Sequence, residues 1–206
     1  MVREGIPWVL VPLLAAAAAL FFGLWWLGGL LGLLAAFMAY FFRDPRREAP
    51  AESDLVVSPA DGRVTRVERV SAAPDSPTVV SIFLSPFDVH VNRSPIAGTV
   101  LDVTYTKGRY VMATRDDASL VNEQNALTIR GEEMTVVCKQ IAGVLARRIV
   151  CWKKPGDRLG LGERFGLIKF GSRTDLVLPP EVSVEVTVGQ RVRGGVTIVG
   201  RWAGGR

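Results

Sequence analysis

The sequence predicts an all-β fold: a compact, barrel-sandwich-like domain of short strands behind an N-terminal transmembrane helical hairpin. Three observations carry this. No charged side chain occurs between Glu4 and Arg43, a run rich in Leu, Ala, Phe and Trp. After Pro50 the chain breaks into short β-branched runs separated by Gly, Pro, Asp and Asn. None of the stretches between those runs keeps a helical period over three turns. The division falls at residues 1–42 for the hairpin and 43–206 for the β-domain. At 206 residues, 49% hydrophobic and 22% charged, the chain is one domain with an appendage, and it holds too much apolar material for disorder.

The uncharged run is too long for one helical crossing, which needs roughly 20 residues, and slightly short for two relaxed ones, so a tight hairpin fits best. Gly23, Gly28, Gly29 and Gly32 are placed to make the bend, with Trp25 and Trp26 at the far interface. Arg3 precedes the run and Arg43, Arg46 and Arg47 follow it, which puts both ends on the cytoplasmic face of the cell membrane and the Arg cluster against anionic headgroups. Crossing twice and dipping into one leaflet both remain open. The run exceeds the apolar region of a cleaved signal peptide.

Ten runs read as strands: 63–70, 79–84, 99–106, 126–130, 135–141, 145–151, 165–170, 176–178, 183–188 and 196–199. An internal echo sharpens the architecture. Gly156-Asp157-Arg158-Leu159 with Gly162 recurs 33 residues later as Gly189-Gln190-Arg191-Val192 with Gly195. Each copy reads as a turn entering a strand, with glycines where the backbone needs positive φ, a pattern shared with biotinyl- and lipoyl-type barrel sandwiches. No lysine stands in a carrier-attachment setting.

Composition removes several chemistries. Two cysteines, Cys138 and Cys151, are too far apart for a CxxC motif, so a Cys/His metal cage is set aside. A single histidine, His90, excludes any design that needs two imidazoles. The net charge of +5 comes from scattered Lys and Arg with no nucleic-acid motif, and the membrane run already accounts for a lipid surface.

Four segments are richer than turns require: Phe42-Arg43-Asp44-Pro45, Ser58-Pro59-Ala60-Asp61-Gly62, the stretch from Ser85 through Pro86-Phe87-Asp88-Val89-His90-Val91-Asn92-Arg93 to Ser94-Pro95, and Phe170-Gly171-Ser172. Singly, each is ordinary turn chemistry. In this order, behind a membrane run, they resemble the phosphatidylserine decarboxylase family in its short bacterial and archaeal form, over about residues 42–179. The most specific stretches are Leu84 to Arg93 and Gly166-Leu167-Ile168-Lys169-Phe170-Gly171-Ser172-Arg173.

The resemblance implies a proenzyme that cuts its own Gly-Ser bond, here Gly171-Ser172, into a β chain (1–171) and an α chain (172–206). The new α terminus would carry a covalent pyruvoyl cofactor derived from Ser172. Residue chemistry fits. Glycine leaves the acyl carbonyl sterically open, and a serine hydroxyl needs a base to act as nucleophile. His90, with an ordinary pKa near 6.5, can take and return a proton. By resemblance Asp61 orients it, giving a self-cleavage triad of Asp61, His90 and Ser172. A pyruvoyl ketone would form a Schiff base with the substrate amine and withdraw electrons as CO2 departs.

One position departs from the family pattern: longer members carry a second histidine where this chain has Arg93. Asn92 and Arg93 are candidates for binding the substrate phosphate or carboxylate, with a strand-end ion pair to Asp88 as the alternative for Arg93. Lys153-Lys154 beside Trp152 reads as a bilayer contact or a solvated loop, and Asn122-Glu123-Gln124-Asn125 as a polar loop before a strand.

The function implied is removal of CO2 from the serine headgroup of a phospholipid, giving phosphatidylethanolamine at the membrane. Nothing in the acyl region takes part, so an archaeal-type archaetidylserine decarboxylase is the neighbouring alternative. A decarboxylase of a soluble amino acid and a non-catalytic, membrane-anchored barrel-sandwich adaptor are the rivals.

Overall fold

A computed structural model describes the chain apart from Ser53, Ala113, Thr114, Asp116, residues 145–147, Phe170, Gly171 and residues 205–206. It divides into two compact units, Met1–Arg46 and Arg47–Arg206.

The first unit is a helical hairpin. A 3-10 turn (Arg3–Gly5) leads into α1 (Ile6–Phe21), and α2 (Trp25–Phe41) packs back along it. The bend is confined to residues 22–24: Gly23 takes φ +75°, and Leu24 N–H donates to Ala19 O at 2.8 Å. Gly28, Gly29 and Gly32 are not part of the bend, as the sequence reading had them, but lie inside α2. Gly28 instead permits close helix contact, since a Cβ there would stand 2.5 Å from Leu20 Cδ2. The two ends meet where Val2 N–H donates to Phe42 O at 3.1 Å. Trp25 and Trp26 stand exposed at the start of α2.

The second unit is mostly β. Its strands are β1 (Leu55–Val57), β2 (Gly62–Arg69), β3 (Thr78–Leu84), β4 (Val91–Arg93), β5 (Gly98–Thr106), β6 (Gln124–Arg130), β7 (Thr135–Ile141), β8 (Arg148–Cys151), β9 (Arg158–Leu159), β10 (Arg164–Lys169), β11 (Ser172–Leu178), β12 (Val182–Val184), β13 (Arg191–Val192) and β14 (Ile198–Trp202). One helical turn, α3 (Ala118–Val121), precedes β6. All ten expected strands have counterparts, with residues 145–147 and 170 of two of them lying outside the described residues. The strand expected over 183–188 stops at Val184, because Thr187 and Gln190 close a turn with Gly189 at φ +93°. The additional strands β1, β4, β9 and β13 are two or three residues long, too short to show alternation.

An eight-stranded sheet runs β13-β2-β3-β11-β7-β6-β5-β9, and two three-stranded sheets run β1-β14-β12 and β4-β10-β8. Inward residues of the large sheet (Val64, Val80, Ile82, Leu127, Cys138, Leu176) pack with Val56, Phe165, Val182 and Val199 of the small sheets in one core.

The glycine echo is the visible part of an internal pseudo-twofold. Gly189 N–H donates to Val64 O and Gly156 N–H to Val100 O, both at 2.8 Å. Gly195 N–H donates to Ser58 O and Gly162 N–H to Ser94 O, at 2.7 and 2.9 Å. The partners are themselves a repeat, Ser58-Pro-Ala-Asp-Gly-Arg-Val64 against Ser94-Pro-Ile-Ala-Gly-Thr-Val100. In both, the serine hydroxyl donates two residues on, to Ala60 O and Ile96 O, and the register shifts just past the valine. The large sheet is thus palindromic about β11 and β7. One half (β4–β10) is contiguous and inserted into the other between β3 and β11. The outer half breaks off at Leu84 and resumes at Ser172, directly opposite.

Candidate active site

β11 lies between β3 and β7, and its side chains alternate. Leu176 and Leu178 join the core, so Ser172 and Thr174 face the same interior. Ser172 is fully buried, and its Oγ has no hydrogen-bond partner among the described residues. A buried hydroxyl left unpaired is unfavourable unless it has a task or a transient partner. Gly171, the expected acyl partner, lies outside the described residues.

His90 is held at the same corner. Past Leu84 the chain turns through Ser85–Asp88: Asp88 N–H donates to Ser85 O at 2.9 Å, and Asp88 Oδ2 accepts from Ser85 N–H and Oγ at 2.8 and 2.7 Å. The buried imidazole then sets Nδ1 3.0 Å from Asp88 O. A carbonyl only accepts, so Nδ1 donates, and in the neutral ring the lone pair that a base requires lies on Nε2. His90 O accepts from Ile168 N–H at 3.2 Å, at the end of β10 that leads toward Ser172. Register thus pairs Ser172 with Leu84 at the end of β3, and a backbone hydrogen bond ties His90 to Ile168 near the end of β10.

Asp61 has other partners than the imidazole. Its Oδ1 accepts from Gly194 N–H and its Oδ2 from Arg47 Nη2, both at 2.8 Å. Pseudosymmetry makes the position distinctive, because the equivalent residue in the other half is Ala97. Arg47 was expected at lipid headgroups; it is instead largely buried in this ion pair. Arg43 stacks over the Tyr40 ring at 3.8 Å and donates to Tyr40 O.

Asn92 is buried within a polar chain that the sequence did not reveal. Its Nδ2 donates to Thr174 Oγ1 at 3.1 Å, its Oδ1 accepts from Gln140 Nε2 at 2.9 Å, and Gln140 Oε1 accepts from Asn125 Nδ2 at 3.1 Å. These residues come from β4, β11, β7 and β6, so no local motif announces them. Arg93 donates to Gly162 O at 3.1 Å, whereas Asp88 pairs with Arg191 at 3.4 Å. Lys153 bridges to Glu163 at 2.6 Å inside its own loop region. Asn122 acts as a clamp, bonding Val111 N–H, Val111 O and Ala142 O. On the outer face of β11, Arg173 forms a buried two-bond ion pair with Asp175 and donates to Arg115 O.

Among the described residues Ser81 Oγ is also buried without a partner, but only Ser172 opens a strand directly opposite Leu84, six residues before the chain's one imidazole, which makes it the candidate reaction centre. The class is a β-domain enzyme. Comparison with known proteins makes it specific. The family model for phosphatidylserine decarboxylase matches residues 34–200. A protein named phosphatidylserine decarboxylase proenzyme from Solibacter usitatus is 50% identical over 206 residues, covering 98% of this chain and 96% of its own. Proteins of the same name from Gluconacetobacter diazotrophicus and Symbiobacterium thermophilum are 50% and 48% identical, covering 85% and 97% of this chain and 81% and 94% of theirs. The chain belongs to the phosphatidylserine decarboxylase family, whose members are pyruvoyl-dependent lyases made as proenzymes.

Proposed function

We propose that this protein is made as an inactive precursor, cuts itself between Gly171 and Ser172, and decarboxylates phosphatidylserine to phosphatidylethanolamine at the membrane surface. Family membership supports the reaction, and the buried, partnerless Ser172 Oγ is the observation that carries the site.

In this reading His90 Nε2 removes the Ser172 hydroxyl proton, the tautomer being held by Asp88 O. The oxygen attacks the Gly171 carbonyl carbon; the peptide C–N bond breaks as the ester forms, and the freed Ser172 amine takes the proton. Loss of the Ser172 α-hydrogen expels the Gly171 carboxylate and leaves dehydroalanine. Tautomerisation and attack by water release ammonia and leave a pyruvoyl group on the α chain. The position suits that group: a serine already inside the core, with no hydrogen bond to break, can be converted without disturbing its neighbours. When present, the group supplies an electron-withdrawing ketone that stabilises the carbanion left by CO2.

The other residues hold this corner. Asp61, fixed by Arg47 and Gly194, holds the turn that opens β2 and acts on the corner through that turn, not by contact with the imidazole. Arg93, held at Gly162 O, serves the anionic groups of the headgroup, while Asn92, expected beside it there, is buried with its amide taken by Gln140 and Thr174 and supports the corner from beneath. The hairpin lies in the bilayer with both ends on the cytoplasmic side. The first helix with its leading turn, Arg3–Phe21, has the length and hydropathy for a crossing, and α2 is shorter. At 1.5 Å per residue the helices are about 24 and 26 Å long, a little under the roughly 30 Å hydrocarbon core.

Intact mass spectrometry of the purified protein tests the reading. Two fragments are expected, the smaller being residues 172–206 with a hydroxylamine-reactive carbonyl terminus and ammonia lost. One unbroken, hydroxylamine-inert chain would overturn it. Turnover of free serine in preference to serine phospholipid would move the enzyme to a soluble substrate.

A further inference from the structure

The β-domain is polarised. Register aligns Arg63, Phe83, Arg173, Ile141, Gln124 and Thr106 in one row across the large sheet, one residue from Ser172. Just beyond this row emerge the turn after β3, the segment between β5 and β6, and the loop after β7. They carry Phe87, Met112, Leu120 and Val144, all exposed; Leu120 is 82% exposed and Met112 62%. Large apolar side chains standing in water singly are ordinary, but a cluster at one end of a domain marks a contact surface. The opposite end, at the β2–β3 and β6–β7 turns, shows only Val70 among its large apolar residues.

Net charge follows the same axis. Arg63, Lys107 and Arg109 are exposed at the Ser172 end beside the Arg115–Asp117 ion pair, and the opposite end exposes Glu68, Asp75, Glu132 and Glu133 against Arg69 and Arg130. An apolar tip flanked by a net excess of cations, with a net acidic far pole, matches an anionic bilayer surface: the side chains enter the headgroup region and the cations meet phosphates.

We propose that the Ser172 end of the β-domain, tipped by Phe87, Met112, Leu120 and Val144, is a membrane-docking surface separate from the hairpin, which sets the reaction corner against the bilayer so that a headgroup reaches it without the lipid leaving. The inference rests on the phosphatidylserine reading above. The hairpin provides attachment, and this surface provides orientation.

The test uses full-length, self-processed protein and two substrates: phosphatidylserine in phosphatidylcholine vesicles, and monomeric dihexanoyl phosphatidylserine. The double variant Met112→Asp, Leu120→Asp should lose about tenfold or more of its vesicle rate. Its rate on the monomeric lipid and its self-cleavage should be unchanged, and Val70→Asp at the other pole should match wild type on both substrates. An unchanged vesicle rate would overturn the docking surface. So would equal losses on both substrates, which would place the residues in the pocket or the fold. Wild-type protein inactive on both lipids would instead sink the reading of function, and this inference with it.

Discussion

The Arg47 guanidinium and the Asp61 carboxylate form an ion pair at 2.8 Å, their side chains 12% and 15% exposed. It joins the first residue of the β-domain to the turn that opens β2, and Gly194 N–H completes the carboxylate's shell. In Arg47→Met the carboxylate keeps one partner and loses its counter-charge, at a cost of about 1–3 kcal/mol. Arg47→Lys should recover only part, since an ammonium cannot reproduce the planar fork. Urea midpoints together with the self-cut fraction measure both effects. A Met variant equal to wild type in each would leave the pair without consequence.

Ser172→Ala should give a single uncut chain with no carbonyl terminus. Because the hydroxyl has no partner to orphan, the variant should escape the loss of about 1 kcal/mol that follows removal of a bonded hydroxyl. Circular dichroism and urea unfolding against a second uncut precursor, His90→Ala, read this. A collapsed Ser172→Ala chain would mean that the hydroxyl is a structural group.

The polar chain beneath the site predicts a contrasting result. Gln140→Leu orphans Asn92 Oδ1 inside the sandwich, at about 1–3 kcal/mol, and takes one partner from Asn125 Nδ2. Unfolding should shift well outside error while the hairpin's helical signal remains. A neutral Gln140→Leu would show that the neighbours re-pair.

Much of this was legible. Val79–Leu84 and Thr135–Ile141 show their strands openly because β-branched runs bounded by turn residues have few other uses, and His90 and Ser172 stand out as the only imidazole and the serine after a glycine. The paired glycine turns were visible; their partners Ser58-Pro59 and Ser94-Pro95 were not recognised as a repeat, because only serine, proline, glycine and valine persist between the copies. Arg47 could not be assigned locally, since a basic residue after an apolar run reads first as a headgroup contact. Gln140, Asn125 and Thr174 meet Asn92 only through sheet pairing. What escaped the sequence is therefore what the tertiary fold alone brings together.

The two thiols predict a pH effect. Burial above all, with Asp175 and Cys151 adding, pushes the Cys138 thiol far above its ordinary range, and burial also raises Cys151. Reaction requires the thiolate, so native protein should react with Ellman's reagent far more slowly than a free thiol, Cys151 ahead of Cys138, and fully on denaturation. The linkage has a definite sign. These groups stay neutral in the folded state where unfolded thiols ionise, so their contribution is complete below about pH 8.5 and declines as pH rises beyond it. Cys138→Ala should flatten that alkaline decline; an unchanged slope would assign it to other groups.

Cleavage before β11 would release a fragment that cannot leave. Residues Ser172–Leu178 pair with β3 along one edge and with β7 along the other, so the fragment supplies an interior strand of the large sheet. It also contributes β14 between β1 and β12, β13 against β2, and the Gly194 N–H that holds Asp61. Extracting it would expose Leu176, Leu178, Val192 and Val199 from the core and break hydrogen bonds in two sheets. Both fragments should therefore co-elute in native size exclusion and separate only under denaturing electrophoresis. A fragment of residues 172–206 eluting alone in native buffer would contradict the interior placement of β11.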